Sequence, residues 1–320
     1  MNEILDSYKF NIDSIDLSNK GLSKLPDLTR FIKLKTLDCS NNKLLELNNL
    51  PKSLIELYCN NNKLTTLNNL PNTLRNLNCS NNQLIILSNL PNTLYNLSCS
   101  NNQLTTLNNL LNSLNTLNCY SNNLTELNNL PNTLTSLSCK NNQLTELNNL
   151  PNTLTFLTCN NNQLTELNNL PNTLETLICC NNQLITLNNL PNSLNMLYCD
   201  NNNLTKLTNL PNTLTILSCK NNQLIELNNL PNVLTDLWCN NNSLTKLNNL
   251  PNRLKYLYCI DNKLIFTKLL ELKKLDNFIK FFKLNKLLKV IFLYSVKKRC
   301  LKYKEELIIK TCHPSRLFFI

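Results

Sequence analysis

The sequence predicts a solenoid, a stack of short and nearly identical coils joined side by side through one parallel β-sheet. Three observations carry that prediction. Cysteines stand at every twentieth position from Cys39 to Cys259, twelve in all. Within each 20-residue period, apolar residues first alternate and then recur every third residue. The composition, crowded with Leu and Asn but holding one Gly, one His and one Trp, has the bias that fixed-length repeats produce.

The unit of residues 54–73 shows how one period becomes one coil. It reads Leu54-x-x-Leu57-x-Cys59-x-x-Asn62-x-Leu64-x-x-Leu67-x-x-Leu70-Pro71. Leu57 and Cys59 alternate with their neighbours, so both face one side of a short strand. Leu64, Leu67 and Leu70 then follow a spacing of three. Pro71 blocks a regular helix. Twenty residues leave little room for one, so the convex side is expected to be extended, polyproline-like or 3₁₀. One coil cannot bury its leucines alone, whereas stacked coils share a continuous core.

The asparagines in register, from Asn42 and Asn62 to Asn262, fall where the chain leaves the strand. An Asn side chain carries two donor hydrogens and an acceptor oxygen. A buried column of them is therefore expected to satisfy turn carbonyls and amides in adjacent coils.

The pattern L-x-x-L-x-C-x-x-N-x-L resembles the conserved segment of leucine-rich repeat proteins, with Cys in the third Leu position. The 20-residue length and the Leu-Pro pair resemble the short repeats of bacterial type III effectors. The Asn-, Lys- and Ile-rich style is similar to repeat proteins of amoeba-infecting giant viruses. The resemblance implies a right-handed leucine-rich repeat solenoid with its parallel sheet on the concave side and an extended or 3₁₀ convex side. About thirteen coils are expected, roughly 60 Å along the strand stack.

The ends depart from the pattern. A degenerate coil at Ile15–Leu22 has Leu17 for Cys and Lys20 for the ladder Asn, and lies 22 residues from the next. Such a loss suits an end unit with no neighbour on one side. At the other end the repeat fails at Thr267. The expected organisation is an N-terminal cap over 1–12, a repeat array over 13–264, and a basic, helical C-terminal cap or tail over 265–320.

Family members usually bind partners on the concave sheet. The positions flanking the two inward strand residues should face it, at 36, 38 and 40 and every 20 onward. The N-terminal half of this surface is small and polar. The C-terminal half gathers Phe156, Ile178, Met196, Tyr198, Ile216, Trp238, Tyr256 and Tyr258, and the only Trp of the chain is among them. Aromatics and Met with few charges favour the centre of an interface, so these eight are the candidate partner-binding residues. Drift of β-formers and cover by the C-terminal tail are the other readings of the same residues.

Charge places a second candidate. Residues 1–263 hold 17 basic and 16 acidic side chains, whereas 264–320 hold 14 and 4. The basic balance thus belongs to the tail, where Lys297, Lys298, Arg299, Lys302 and Lys304 could meet a polyanion, anionic lipid ahead of nucleic acid. Solenoids also need a cover for their last coil, which is the leading expectation for this segment.

Catalytic chemistry is not expected. One glycine, Gly21, is too few for a phosphate loop, and His313 is the only histidine. No Cys-x-x-Cys motif occurs, so neither a metal site nor a cofactor is expected. Some effectors of the family follow their repeats with a ubiquitin ligase domain that uses a Cys-x-Asp nucleophile. Cys300-Leu301-Lys302 and Cys312-His313-Pro314 do not match it. Fifteen cysteines without a recognisable export signal point to a reducing compartment, the cytoplasm of the cell or of an infected host. The overall expectation is a monomeric, non-catalytic scaffold for a protein partner, acting as effector or adaptor. The alternative is a membrane- or polyanion-associated protein whose repeats serve as a spacer.

Overall fold

The computed structural model describes residues 11–264, apart from 109 and 248, together with Leu5 and Tyr8. Among these residues thirteen parallel strands form one sheet in strict chain order. They run from β1 (Ser14–Asp16) and β2 (Thr36–Asp38) to β13 (Tyr256–Tyr258), each three residues long. The 20-residue period sets the register directly, with Leu177 opposite Leu197 and Leu197 opposite Leu217. The first step is the longer one, Ile15 opposite Leu37, as the 22-residue spacing requires.

The core is a column for each apolar position of the repeat. Leu54, Leu57, Cys59 and Leu64 are fully buried, and Leu67 and Leu70 nearly so. Each such leucine contributes about 1.5–3 kcal/mol of burial. The longer first step is filled by Leu28, Phe31 and Leu34, all fully buried.

Asparagine closes each coil onto its neighbour. Asn162 donates through Nδ2 to the carbonyls of Cys139 at 3.1 Å and Cys159 at 3.0 Å. Its Oδ1 accepts from the Leu144 amide at 3.0 Å. The arrangement runs from Asn42 to Asn262. In the degenerate first coil, which lacks the residue, Asn42 takes both the Lys20 and the Leu22 amides.

Three further columns were not anticipated from the repeat pattern. The residue before each ladder Asn (Asn41, Asn61, Asn161) and the second Asn of Leu-Asn-Asn-Leu (Asn49, Asn69, Asn169) hold φ between 52° and 57°. Gly enters this left-handed region freely and Asn or Asp more readily than other residues, and Ser121 adopts it in the one coil where Ser replaces the Asn. The scarcity of glycine was the available signal, since Asn takes over its role here. The third column is hydroxyl-bearing: Thr153 Oγ1 donates to the Leu134 and Asn132 carbonyls, both at 2.8 Å. Val233 and Arg253 interrupt it.

The convex side is extended, with isolated turns and no 3₁₀ segment among the described residues. Pro151 does not cap a helical turn but opens the turn that leads into the next strand, the Leu154 amide bonding its carbonyl at 3.0 Å. A left-handed Asn two residues before each described repeat proline from Pro51 to Pro251, and the restriction proline places on its predecessor, stop any run of successive i→i+3 bonds. Of the expected N-terminal cap, Leu5 is buried and Tyr8 donates to the Asp16 carbonyl at 3.1 Å. The expected helical C-terminal cap at 265–320, and the end of the array at Thr267, lie outside the described residues.

Candidate functional site: the concave sheet

In each strand the middle residue, Ile15 in β1 and a leucine in the others, points into the core, so the first and third residues face the opposite side. Successive coils line these up into two lanes across the sheet. In the C-terminal half the strands are β8 (Phe156–Thr158), β9 (Thr176–Ile178), β10 (Met196–Tyr198), β11 (Ile216–Ser218), β12 (Asp236–Trp238) and then β13. The first lane reads Phe156, Thr176, Met196, Ile216, Asp236, Tyr256. The second reads Thr158, Ile178, Tyr198, Ser218, Trp238, Tyr258. All eight predicted patch residues therefore share one face, in adjacent coils.

Their exposure is uneven. Phe156 and Tyr256 are 37% and 36% exposed, while the other six are half-buried against their lane neighbours. Trp238 and Tyr258 stack with ring centroids 6.3 Å apart and an interplanar angle of 16°. Thr158 and Ser218 are buried within the second lane. Burial, and after it the charges of Asp236 and Asp200, raise the Tyr198 phenol above its ordinary pKa.

The third lane expected on this face does not form. Ser40, Ser80, Ser100 and Asp200 are buried, and most of their counterparts are half-buried. The strands end two residues earlier, and each position 20n already turns toward the left-handed Asn. Ser100 Oγ bonds Ser80 Oγ at 2.9 Å. Asp200 accepts from Ser218 Oγ at 2.6 Å and the Lys220 amide at 2.9 Å, and pairs with Lys220 Nζ at 3.2 Å.

The N-terminal half is polar, and part of its first lane bonds to itself. Asn96 donates to Asn76 at 2.8 Å, and Asn76 to Glu56 at 3.0 Å. Farther along, Lys140 Nζ lies 4.8 Å from the Tyr120 ring centroid. The exposed aliphatics elsewhere are Ile32, Leu45, Ile85, Ile86, Ile185, Ile225 and Ile260, and exposed apolar side chains of this kind are ordinary on a protein surface.

The cysteine column is structural. Cys59 Sγ donates to the Asn78 carbonyl at 3.4 Å, and burial pushes the Cys79 and Cys139 thiols up to about 12. Cys180, adjacent to the column, is half-buried, whereas the other described cysteines are buried. Burial and then Asp200 push it up to about 11, which leaves little thiolate near neutral pH. Among the described residues no group of three His, Cys, Asp or Glu side chains is placed to hold a metal ion. Likewise, no helix there is long and apolar enough to cross a membrane. The basic candidates Lys297, Lys298, Arg299, Lys302 and Lys304 lie outside the described residues.

Sequence reasoning placed the aromatic residues correctly on one face but did not single out Ser218 and Asp236 among them. The signal was present: Ser218 is the one small side chain between Tyr198 and Trp238, and Asp236 the one charge in the apolar stretch of the first lane.

Among solved structures the fold is similar to YopM, a leucine-rich effector protein of Yersinia pestis, at 35% identity and a TM-score of 0.70. The match covers 79% of this chain and 78% of that one. YopM of Yersinia enterocolitica is 33% identical with a TM-score of 0.60, over 80% of this chain and 66% of that one. This chain thus spans slightly less than two thirds of the Yersinia enterocolitica protein. The functional domain of InlJ from Listeria monocytogenes, which includes a cysteine ladder, is 27% identical with a TM-score of 0.56, covering 78% and 68% of the two chains. No family model and no curated protein matches the sequence. A shared parallel coil and a third or more of identical residues across most of both the Yersinia pestis protein and this chain lead to one assignment: the chain belongs to the leucine-rich repeat family.

Proposed function

We propose that the chain is a non-catalytic scaffold that binds a protein partner on the C-terminal half of its concave face, through Phe156, Ile178, Met196, Tyr198, Ile216, Trp238, Tyr256 and Tyr258. The single observation that supports this most is the contiguity of these side chains, in register across six adjacent strands, next to a polar half whose first lane is partly self-bonded. Contiguous apolar surface rimmed by polar residues marks contact sites. The similarity to a leucine-rich effector supports a role as effector or adaptor in a reducing cytoplasm. Residues 13–264 serve as the binding array and 265–320 as its C-terminal cover.

Affinity purification with the full chain tests this, using a variant with Tyr198, Trp238 and Tyr258 all replaced by Ser as the control. A specifically captured protein should disappear from the variant while its thermal midpoint stays within a few degrees. Retention at full affinity would remove the assignment.

The charge segregation favours a second reading, in which the tail brings the protein to an anionic surface. Flotation of the full chain with phosphatidylserine vesicles, compared with a variant carrying Gln at Lys297, Lys298, Arg299, Lys302 and Lys304, tests it. No flotation at low salt rules it out.

A further inference from the structure

Where the chain enters β4 (Asn76–Asn78) and β5 (Asn96–Ser98), the surface opens into a depression of about 480 Å³. It is lined by Arg75, Asn76, Thr93, Tyr95, Asn96 and Ser113. Small-ligand sites span roughly 300–1,000 Å³ and carry a few convergent polar groups, and this one fits that description. Arg75 and Tyr95 hold the same position in neighbouring coils, the Tyr95 amide bonding the Arg75 carbonyl at 2.8 Å. Tyr95 is 49% exposed.

The hydrogen-bonding capacity left open in the depression has a definite pattern. Thr93 Oγ1 spends its hydrogen on the Asn72 and Leu74 carbonyls at 2.8 and 2.7 Å, and Ser113 Oγ on the Leu94 carbonyl at 2.7 Å. Asn96 Nδ2 donates to Asn76 Oδ1 at 2.8 Å, and Asn76 Nδ2 to Glu56 at 3.0 Å. Asn96 Oδ1 and the lone pairs of both hydroxyls have no donor among the described residues. The Arg75 guanidinium, with five donor hydrogens, makes no hydrogen bond or ion pair among the described residues. The depression thus offers one charged donor fork, several acceptors and an aromatic ring.

The surrounding charge is one-sided. Residues 20–75 hold nine basic and four acidic side chains, and from 57 to 125 the only charged residues are Lys63 and Arg75. Glu56, the nearest acidic residue in sequence, does not line the depression. An anion approaching Arg75 therefore meets a basic flank on one side and a neutral one on the other.

We propose that this depression binds an acidic sugar, a uronate unit, with its carboxylate on Arg75. The ring hydroxyls donate to Asn96 Oδ1, Thr93 and Ser113, and a C–H face of the ring packs on Tyr95. A guanidinium fork matches a carboxylate in bidentate fashion, and the electron-rich face of an aromatic ring attracts polarised C–H groups. A bare carboxylate would use the Arg75 fork and leave the acceptors and the ring unused. The site lies apart from the apolar patch and does not depend on the concave-face reading.

Ligand-observed saturation-transfer NMR titrations of the full chain test this with methyl β-glucuronide, methyl β-glucoside and N-acetyl-aspartate methylamide. The glucuronide should bind about tenfold or more tightly than the glucoside, which carries a hydroxymethyl group for the carboxylate. It should exceed by a similar factor the aspartate amide, which lacks the hydroxylated ring. Arg75→Gln should remove the preference for glucuronide over glucoside, and Tyr95→Asn should weaken glucuronide binding about tenfold. Both positions are exposed, and Asn115 already stands at the Tyr95 position one coil on, so both variants suit the fold. No binding of the glucuronide, equal binding of the two sugars, or an unchanged preference in Arg75→Gln would overturn the proposal. The aspartate amide binding as tightly as the glucuronide would overturn the saccharide assignment in favour of an acidic peptide.

Discussion

The Leu144 amide donates to Asn162 Oδ1 at 3.0 Å, although the two residues belong to different coils. The same side chain holds two carbonyls through its Nδ2. Leucine in its place would strand one buried amide and weaken two buried acceptors. Asn162→Leu should therefore destabilise the protein by about 2–4 kcal/mol. Urea denaturation followed by circular dichroism measures this, and a shift under 0.5 kcal/mol would contradict the ladder.

The neighbouring Asn161 is exposed and is defined by its backbone, with φ of 56°. Asn161→Gly should be nearly neutral, whereas Asn161→Val should cost about 1–2 kcal/mol because a β-branched residue resists the left-handed region. The pair separates a conformational requirement from the amide bond to Asn141 at 2.6 Å. If both variants lost the same amount of stability, the side-chain bond and not the backbone would explain why Asn stands here.

Leu111 occupies the proline position of its coil and keeps the same turn, with the Leu114 amide on its carbonyl at 3.0 Å. Leu111→Pro should stabilise the fold by about 0.4–1 kcal/mol, because it restricts the unfolded chain where the folded backbone already suits proline. A lower thermal midpoint would show that this coil differs from its neighbours.

Val233 interrupts the hydroxyl column that Thr213 occupies one coil earlier, where Oγ1 reaches the Leu194 carbonyl at 2.8 Å. Val233→Thr should add about 0.5–1.5 kcal/mol, and Thr153→Val should remove a similar amount. Equal midpoints for all three proteins would make the column incidental.

Alkaline pH should unfold the array. The Cys39, Cys79, Cys139 and Cys259 thiols are pushed up to about 12 by burial. In the unfolded chain they ionise near an ordinary thiol value, about 8.5. A raised folded pKa gives stability that is complete below the unfolded value and lost as pH rises toward the folded one. Stability should thus be level up to about pH 8 and fall steeply from about 9 to 12. Replacing several ladder cysteines by Ala should flatten that limb while lowering the plateau. An identical slope would assign the limb to other groups.

Much of the fold was legible because one period repeats across the described array, so a single coil explains the remainder. The inner lane of leucines and Cys59 follows from alternation, and the ladder Asn from its place after the strand. The left-handed Asn161 was not legible from hydrophobic pattern, since φ leaves no trace in apolar spacing. Phe31 escaped notice because the 22-residue step has no second example in the chain. On the sheet face, alternation alone placed Trp238 and Tyr258 side by side. The burial of Ser218 did not emerge from position, because it depends on the larger residues one coil away on each side.

The asparagine ladder points one way along the chain. Each coil is finished by a side chain from the coil that follows it, as Leu144 is by Asn162 and Leu164 by Asn182. A chain leaving the ribosome N-terminus first cannot complete a coil until the next one has emerged, so folding trails synthesis by about one repeat. A truncation inside the array leaves only its last coil unfinished, and the loops before it keep their asparagines.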